Sequence, residues 1–350
     1  MLLLVLFLLS IFTFTKLCSG NNSTQQEHFL EKKIHHIDIP PIQHACSSHG
    51  VSNGIWVKNS SITEKLYYCC GYDGHDHRHN IEVCGGINLA GLSDYQALED
   101  IRMQVGGHAC HCDREEGRLS VNRREKYTWV PHNCSLNEWN TDRFCQLLQD
   151  KKILFVGDST SVQTGGALMA MTYKKCATNL YLARDDNFYG NKLIGFVERF
   201  KPDILIISYG PHALDDEDVR IELKHIQEML YELGQKEKEN EDTNNTNSMK
   251  VLWKTINPGH SDCWNATGPV ESFEIPPNNQ YRFDRFPVWD AMALNANITY
   301  RNKSIGLLDM SALYYRPDAH PGRDCLHSCL PGPIDIVGRI LLQMLENGEI

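Results

Sequence analysis

The chain has 350 residues, of which 41% are apolar and 22% are charged, and its 34 basic and 44 acidic residues give a formal charge of −10. The apolar fraction excludes a wholly disordered chain. The acidic surplus argues against a nucleic-acid partner, because proteins that bind a phosphate backbone usually carry a basic surplus. The 13 cysteines indicate either an oxidising compartment or a metal-rich cytosolic protein.

The N-terminal segment decides between these compartments. Residues 2–15 carry no charge and are too few for a membrane span, which takes about 20 apolar residues. They are typical of a signal peptide, with small residues near Cys18 for cleavage. An uncleaved signal-anchor is the alternative, and only then do we expect contact with a membrane. Residues 1–20 are therefore predicted to direct the chain into the secretory pathway, to the Golgi or the extracellular space.

Potential N-glycosylation sites support the same compartment. Asn-x-Ser/Thr sequons in such number favour glycosylated surface loops in a secreted chain. The sequons stand at Asn21, Asn22, Asn59, Asn133, Asn244, Asn265, Asn297 and Asn302. Several disulfides are therefore expected, each stabilising the fold by roughly 2–4 kcal/mol.

Cysteine spacing predicts two domains. Nine of the twelve cysteines that follow Cys18 lie between Cys46 and Cys176. We predict a cysteine-rich, disulfide-stapled N-terminal module over 21–150 and a catalytic domain over 151–350. His75, His77 and His79 alternate, and His108 and His111 lie beside cysteines. This pattern allows a zinc site, which needs a closed set of deprotonated ligands, but the compartment favours disulfides, so we expect no metal.

The second half alternates apolar runs with helical patterns. The runs are nearly continuous, as in strands covered on both faces, and they are Ile153–Val156, Asp203–Ile207, Val251–Thr255 and Gly306–Met310. The predicted helices are Ser159–Tyr173, Asp215–Leu233, Pro287–Asn295 and Ile334–Leu345. The polar stretch Gln235–Lys250 is predicted to be a solvated loop. Such alternation predicts an α/β fold, a three-layer α/β/α sandwich around a parallel sheet.

The string Gly157-Asp158-Ser159 follows the first of these strands and opens a helix. Open α/β folds place their sites at this edge of the sheet. A helix N-terminus offers N–H groups and a positive dipole end to a developing oxyanion. Ser159 is therefore a candidate nucleophile. The alternative is an ordinary strand–turn–helix in which Asp158 and Ser159 act only as caps.

A second motif follows the last strand. Asp324 and His327 are three residues apart and are flanked by Cys325 and Cys329. A serine hydroxyl needs a base to take its proton, and that base needs an orienting carboxylate. Bridges from the two cysteines to other parts of the chain would hold the loop rigid. The alternative is a disulfide-stabilised turn with a surface histidine.

Together the two motifs resemble those of SGNH (GDSL-type) hydrolases, and more specifically of the PC-esterase branch with the plant trichome-birefringence-like proteins. Tyr127–Pro131, Lys151–Val156 and Thr255–His260 are similar to stretches of that family. The resemblance covers about 125–345, with a looser match from Cys46. It implies a triad with Ser159 as nucleophile, His327 as general base and Asp324 orienting His327. It also implies O-acetyl transfer to polysaccharide in the Golgi.

The chain departs from this family pattern at several positions. Val162 and Gln163 stand where the family usually has Arg, and Ser208 replaces an Asn. Ser328 replaces a Trp, and Val337-Gly338 replace a Trp-Asn pair. The residues predicted to bind the oxyanion or the substrate are Gln163, Ser208, Gly210 and His260. His260 either lines the acceptor site or caps the core.

The motifs and the departures from the family pattern leave three functions open. The first is an O-acetyltransferase acting on a glycan or polysaccharide through an acyl-serine intermediate. The second is a secreted esterase or deacetylase with the same triad, since water and a sugar hydroxyl attack the same acyl-enzyme. The third is a catalytically silent glycan-binding protein. The expected partners are a glycan acceptor and an unidentified acyl donor, with no cofactor.

Overall fold

The computed structural model describes residues 44–48, 50–62, 126–172, 175–239, 248–273, 281–320 and 324–350, all within the compact unit Gln43–Ile350. The predicted signal segment and the histidines at 75, 77, 79, 108 and 111 lie outside these residues. The predicted division near residue 150 therefore stays a prediction. Within the described ranges, no helix combines the length and hydropathy needed to cross a membrane.

The described strands, in chain order, are β1 (Gly54–Lys58), β2 (Tyr127–Pro131), β3 (Ile153–Gly157), β4 (Leu180–Arg184), β5 (Ile204–Ile207), β6 (Lys250–Lys254), β7 (Thr299–Tyr300), β8 (Lys303–Ser304) and β9 (Gly306–Leu308). The α-helices are α1 (Thr141–Leu148), α2 (Ser159–Met171), α3 (Lys192–Phe200), α4 (Asp216–Glu239), α5 (Phe286–Asn295) and α6 (Ile336–Glu346). Short 3₁₀ helices lie at Ala177–Asn179, Cys263–Asn265, Phe283–Arg285, Ser311–Tyr315, Pro317–Ala319 and Pro333–Asp335.

Five parallel strands form the central sheet, in the order β4-β3-β5-β6-β9. The four predicted strands are present, and every residue of β3 and β5 is buried. The edge strand β4 was not predicted. Leu180, Leu182 and Ala183 are buried, Tyr181 is partly exposed and Arg184 is exposed, so this strand is less completely buried than the interior strands.

Helices cover both faces of the sheet, which confirms the predicted α/β/α arrangement. On one face α2 packs against β3, β4 and α6, and α1 packs against α6. On the other face, apolar side chains of α3, α4 and α5 join those of the strands in one core, with Leu193, Ile226 and Phe286 among its fully buried members. The sheet is thereby shielded from water on both sides.

Helix α4 is longer than predicted, so the predicted loop over Gln235–Lys250 is wrong for its first five residues. Lys236 pairs with Glu232 one turn earlier and with Glu198 on α3. Glu and Lys are good helix formers, and pairs four residues apart stabilise a helix. The polar composition that suggested a loop therefore belongs to the solvated face of a helix as far as Glu239.

The two-stranded sheet of β1 and β2 is antiparallel and is attached to the C-terminal half. The Trp56 indole N–H donates to the carbonyl of Ala312 at 2.8 Å. Arg339, on α6, donates to the carbonyl of Trp129 at 2.9 Å. A disulfide joins Cys46, which precedes β1, to Cys134, which follows β2.

The strand order reverses at β3, which lies between β4 and β5. In open parallel sheets the crevice for a ligand lies beyond the carboxyl ends of the strands at such a reversal. Ser159 follows β3, and Ser208 follows β5. The fold thus places two predicted site residues at the edge where a site is expected.

Gly165 provides a test of the packing between α2 and the sheet. A Cβ at Gly165 would lie 2.3 Å from Leu182 and 2.9 Å from Phe155. We expect Gly165→Ala to lower the free energy of unfolding by about 1–3 kcal/mol, the usual cost of overpacking. Denaturant titration measures the change.

Gly195→Ala is the matched control, because Gly195 is also helical but a Cβ there would meet nothing within 4 Å. Alanine has the higher helix propensity, so this variant should gain about 0.4–1 kcal/mol. Equal effects of the two substitutions would contradict the described packing.

Candidate active site

Ser159 is held at a sharp turn between β3 and α2. Asp158 caps the helix, and its Oδ1 accepts from the N–H groups of Thr160 at 2.6 Å and Ser161 at 3.3 Å. Gly157 has φ 155°, and a Cβ there would lie 2.5 Å from the carbonyl oxygen of Ser208. Glycine is therefore required at this position by both conformation and space.

The structure brings together the three residues predicted to form a triad. The distance from Ser159 Oγ to His327 Nε2 is 2.9 Å, and that from His327 Nδ1 to Asp324 Oδ2 is 2.8 Å. Because the carboxylate accepts, neutral His327 carries its proton on Nδ1 and leaves Nε2 to accept from the Ser159 hydroxyl. This arrangement allows the base to take a proton from the serine.

Asp324 is held in its charged form. Its Oδ1 accepts from the backbone N–H groups of Leu326 at 3.1 Å and His327 at 3.2 Å. Burial by itself raises the pKa of Asp324, but the hydrogen bonds and charge of His327 and the Leu326 N–H outweigh it and hold that pKa well below its ordinary value. A carboxylate that stays ionised can orient His327 and stabilise its protonated form.

The loop that carries Asp324 and His327 is tied to its surroundings by covalent and polar contacts. Cys325 forms a disulfide with Cys263, and Cys329 is also disulfide-bonded. The backbone N–H of His260 donates to the carbonyl of Cys325 at 3.0 Å. The sequence does not predict Cys263 as the partner, although Cys263, Cys325 and Cys329 are the three cysteines that follow Cys176.

Gln163 lies against the same loop, where its amide clamps Ser328. Its Nε2 donates to the Ser328 carbonyl at 2.9 Å, and its Oε1 accepts from the Ser328 N–H at 2.8 Å. Gln163 is fully buried. Both ends of the amide are therefore used to hold the residue after His327, and the prediction that Gln163 contacts the oxyanion or the substrate stays a prediction.

The other predicted oxyanion and substrate residues lie in different surroundings. Ser208 is buried, and its Oγ has no hydrogen-bond partner in the part of the chain that the structure describes. A Cβ on Gly210 would lie 2.2 Å from Ile256, so this glycine permits close packing. His260 is buried and its ring contacts His320 and the carbonyl of Tyr314. This burial fits the alternative in which His260 caps the core, and a contact of His260 with the acceptor stays a prediction.

A buried polar network supports the first turn of α2. Lys254 Nζ donates to Asn257 Oδ1 at 3.1 Å, and Asn257 Nδ2 donates to the Thr160 carbonyl at 3.3 Å. Burial lowers the pKa of Lys254 to about 8, while the charges of Asp158 and Asp290 oppose it. Burial also raises the pKa of Asp290 to about 8. A buried amine and amide thus fix the backbone next to the nucleophile.

Among the described residues, no group of three or more His, Cys, Asp or Glu side chains is arranged to hold a metal ion. The alternating histidines of the N-terminal half lie outside those residues.

Comparison with known proteins agrees with this geometry. Residues 215–344 match the model of the PC-esterase family, described as a GDSL/SGNH-like acyl-esterase family found in Pmr5 and Cas1p. This stretch contains Asp324 and His327, and Ser159 precedes it. The match therefore covers the part of the site that supplies the base and the carboxylate.

Several proteins that are similar to this chain in sequence come from plants. Xyloglucan O-acetyltransferase 4 of Populus trichocarpa is 29% identical over 125 residues, which cover 30% of either chain. Xyloglucan O-acetyltransferase 1 of the same species is 23% identical over 308 residues, covering 64% of this chain and 72% of the relative. Protein trichome birefringence-like 24 of Arabidopsis thaliana is 23% identical over 318 residues, covering 63% and 72%.

Removing the Cys263–Cys325 disulfide should reduce the reactivity of Ser159. Cys325 is two residues from His327, so the double variant Cys263→Ser/Cys325→Ser loosens the loop that carries the base. A misplacement of about 1 Å can lower a rate by on the order of a hundredfold. We expect at least a tenfold slower labelling of Ser159 by a serine-directed phosphonate, measured at a temperature where circular dichroism shows a folded chain.

The Cys145–Cys176 disulfide supplies the control for this experiment. The double variant Cys145→Ser/Cys176→Ser also loses one cross-link, so its free energy of unfolding should fall by about 2–4 kcal/mol and its unfolding temperature should fall with it. Its labelling rate should stay near that of the parent. Equal labelling rates for the two double variants would refute a special role of the bridge at Cys325.

Acid should destabilise the fold through its buried histidines. Burial lowers the pKa of His260 to about 4 and that of His320 to about 3, from an ordinary value of 6.5. As the pH falls below 6.5 the unfolded chain takes up protons that the native state does not, so the free energy of unfolding decreases toward pH 4. Urea titrations between pH 7 and pH 4 measure the slope, which His260→Asn/His320→Asn should reduce; an unchanged slope would contradict these shifts.

Proposed function

We propose that this chain is a member of the PC-esterase family, whose model matches residues 215–344, and that it is an O-acetyltransferase that transfers an acetyl group to a hydroxyl of a polysaccharide. The observation that carries the proposal is the chain of contacts from Ser159 Oγ to His327 and from His327 to Asp324. Relatives named as xyloglucan O-acetyltransferases support the reaction type. They also support a polysaccharide as the acceptor.

The first half of the reaction acetylates Ser159. Ser159 Oγ attacks the carbonyl carbon of the acyl donor while its proton passes to His327 Nε2, and the carbonyl oxygen becomes an oxyanion. The tetrahedral intermediate then collapses, the bond to the donor's leaving group breaks, and His327 returns the proton to that group. Asp324 stabilises the imidazolium while it exists. The products are acetyl-Ser159 and the protonated leaving group.

The second half of the reaction transfers the acetyl group from Ser159 to the acceptor. A sugar hydroxyl attacks the acetyl-Ser159 carbonyl while His327 takes the hydroxyl proton. Collapse of the second intermediate breaks the bond to Ser159 Oγ, which regains its proton from His327. The acceptor leaves as an acetyl ester. Water in place of the sugar hydroxyl would give hydrolysis, so exclusion of water decides between transfer and esterase activity.

Two groups are candidate donors to the oxyanion. The Asp158 carboxylate takes the N–H groups of Thr160 and Ser161, so the N–H of Ser159 is the one in this turn that the carboxylate does not use. The hydroxyl of Ser208 has no hydrogen-bond partner within the described residues and follows the neighbouring strand. We propose that these two donate to the oxyanion, since donors at a helix N-terminus and a strand end suit that role.

The secretory pathway is the proposed compartment. The disulfides at Cys46–Cys134, Cys145–Cys176 and Cys263–Cys325 fit an oxidising lumen. Four of the described sequon asparagines are exposed, as glycosylation would require: Asn133, Asn265, Asn297 and Asn302. Acetylation of polysaccharides before secretion would take place in the same lumen.

Ser159→Ala tests the proposed mechanism. Without the nucleophile no acyl-enzyme forms, so transfer of acetyl from a donor ester to a polysaccharide should fall by on the order of 10³-fold or more. Product ester is measured by mass spectrometry of the polysaccharide. A folded Ser159→Ala variant with the turnover of the parent would exclude the triad.

Ser161→Ala is the matched control, since Ser161 lies two residues further along α2 and its Oγ has no partner within the described residues. It should keep the turnover of the parent.

Comparing ester hydrolysis with and without polysaccharide separates transferase activity from esterase activity. Hydrolysis that no polysaccharide slows or diverts would favour an esterase over the proposed transferase.

A further inference from the structure

A cavity of about 200 Å³ is lined by residues of β1, β2, α2 and α6. One water molecule needs about 10–15 Å³ of such space, so the cavity has room for a ligand the size of a monosaccharide. Met171, the last residue of α2, forms part of its wall. Since a helix rises about 1.5 Å per residue, this wall lies about 18 Å along α2 from Ser159. The cavity is therefore separate from the triad.

Four aromatic rings line the cavity, those of Trp56, Tyr127, Trp129 and Trp139. Trp129 is buried and the other three are partly exposed, so the cavity opens at the surface. The Arg316 guanidinium carbon lies 4.7 Å from the ring centre of Trp56 and 5.0 Å from that of Tyr127, which holds these two rings in place. The C–H groups on the face of a pyranose pack well against the electron-rich face of an aromatic ring. The lining therefore suits a sugar.

The side chain of Asn59, which directly follows β1, forms part of the same wall together with Thr128. Its Nδ2 donates to Thr128 Oγ1 at 3.4 Å. Its Oδ1 accepts from the backbone N–H of Ser61 at 3.1 Å and from the Ser61 hydroxyl at 2.5 Å. These contacts fix the amide with its nitrogen beside the cavity. Asn59-Ser60-Ser61 is a sequon, so the nitrogen that an N-glycan would use stands at the wall.

We propose that Asn59 is N-glycosylated and that the first sugar of this glycan, an N-acetylglucosamine, occupies the aromatic cavity. The covalent bond supplies the occupant, because a sugar tethered beside its site has an effective concentration on the order of millimolar or more. The proposal goes beyond acetyl transfer, and it does not depend on the role of Ser159.

The attachment uses one of the two hydrogens on Asn59 Nδ2. The donor is an oligosaccharide joined to a lipid through a diphosphate. Nδ2 attacks the anomeric carbon of the first sugar, the bond from that carbon to the diphosphate oxygen breaks, and the lipid diphosphate leaves with the electron pair. The displaced proton passes to solvent. The second Nδ2 hydrogen remains, so the contact with Thr128 can persist in the glycosylated chain.

Peptide mapping of the full chain, secreted from a eukaryotic host that makes high-mannose glycans, tests the attachment. We expect a glycan on Asn59. It should be absent from Ser61→Ala and present in Ser61→Thr, which keeps the sequon. A parent chain in which Asn59 is unmodified would overturn the proposal.

Nuclear magnetic resonance of the same chain with ¹³C-labelled glycans tests where the first sugar lies. An endoglycosidase first trims every glycan to that sugar. Protons above an aromatic ring are shifted upfield. The acetyl methyl signal at Asn59, assigned by its absence from Ser61→Ala, should therefore lie upfield of the signal at Asn302, an exposed sequon asparagine.

Trp56→Leu should remove most of this upfield shift, because it takes away one ring of the cavity. Tyr127→Leu gives the same test if circular dichroism shows that Trp56→Leu does not fold. Trp264→Leu is the matched control, since Trp264 is 53% exposed and is not among the described residues that line the cavity. It should leave the Asn59 signal unchanged.

Two results would overturn the placement of the sugar. The first is an Asn59 methyl signal that coincides with that of Asn302, as expected for a glycan in solvent and a cavity left to a free saccharide. The second is an upfield signal that Trp56→Leu and Trp264→Leu leave equally unchanged.

Discussion

The hydrogen bond between Ser159 and His327 joins two segments that are 168 residues apart in the chain. One partner stands at the first turn of α2, where the buried strand β3 ends. The other stands on a loop without regular secondary structure. A rigid partner and an irregular one meet within 2.9 Å only if the loop is held from several sides. Much of the structure around the site serves that requirement.

Each support of the loop uses a different interaction. The Cys263–Cys325 disulfide fixes its start covalently, and the buried side chain of Leu326 anchors it in the core. The Gln163 amide fixes Ser328 from the side of the nucleophile helix. Since Gln163 belongs to α2, the helix that presents Ser159 also positions the residue next to the base. Nucleophile and base are thus tied to one element.

The departures from the family pattern acquire a structural meaning here. Gln163 stands near the position where the family usually has Arg, and Ser328 stands where it usually has Trp. In this chain these two residues contact each other, through the Gln163 side chain and the Ser328 backbone. The contact does not depend on the Ser328 side chain. The changed residues therefore still support the loop.

Local signals in the sequence predicted the fold and the three triad residues. Continuous apolar runs identified the interior strands, and the glycine before Asp158 and Ser159 marked the turn. The edge strand β4 was missed: Tyr181 is partly exposed and Arg184 is exposed, so this strand is less completely buried than the interior strands. Five residues at the start of a predicted loop proved helical, because charged residues on a solvated helix face look like a loop in composition.

Contacts between distant segments could not be predicted in this way. His320 stands seven residues before His327, but its Nε2 contacts Nδ1 of His260, which is 60 residues away. The pairing of Cys263 with Cys325 and the use of the Gln163 amide likewise depend on how helices and loops pack. A residue's type suggests what it is able to bind, whereas its partner is set by the tertiary structure.

Ser159 is proposed to carry the acyl group as an ester. Intact-mass analysis of the full chain after exposure to an acetyl donor without acceptor, followed by peptide mapping, tests this role. We predict one acetyl group on the peptide that contains Ser159, which disappears when polysaccharide is added. A folded chain that gains no acetyl group, or that gains it on another residue, would contradict the account.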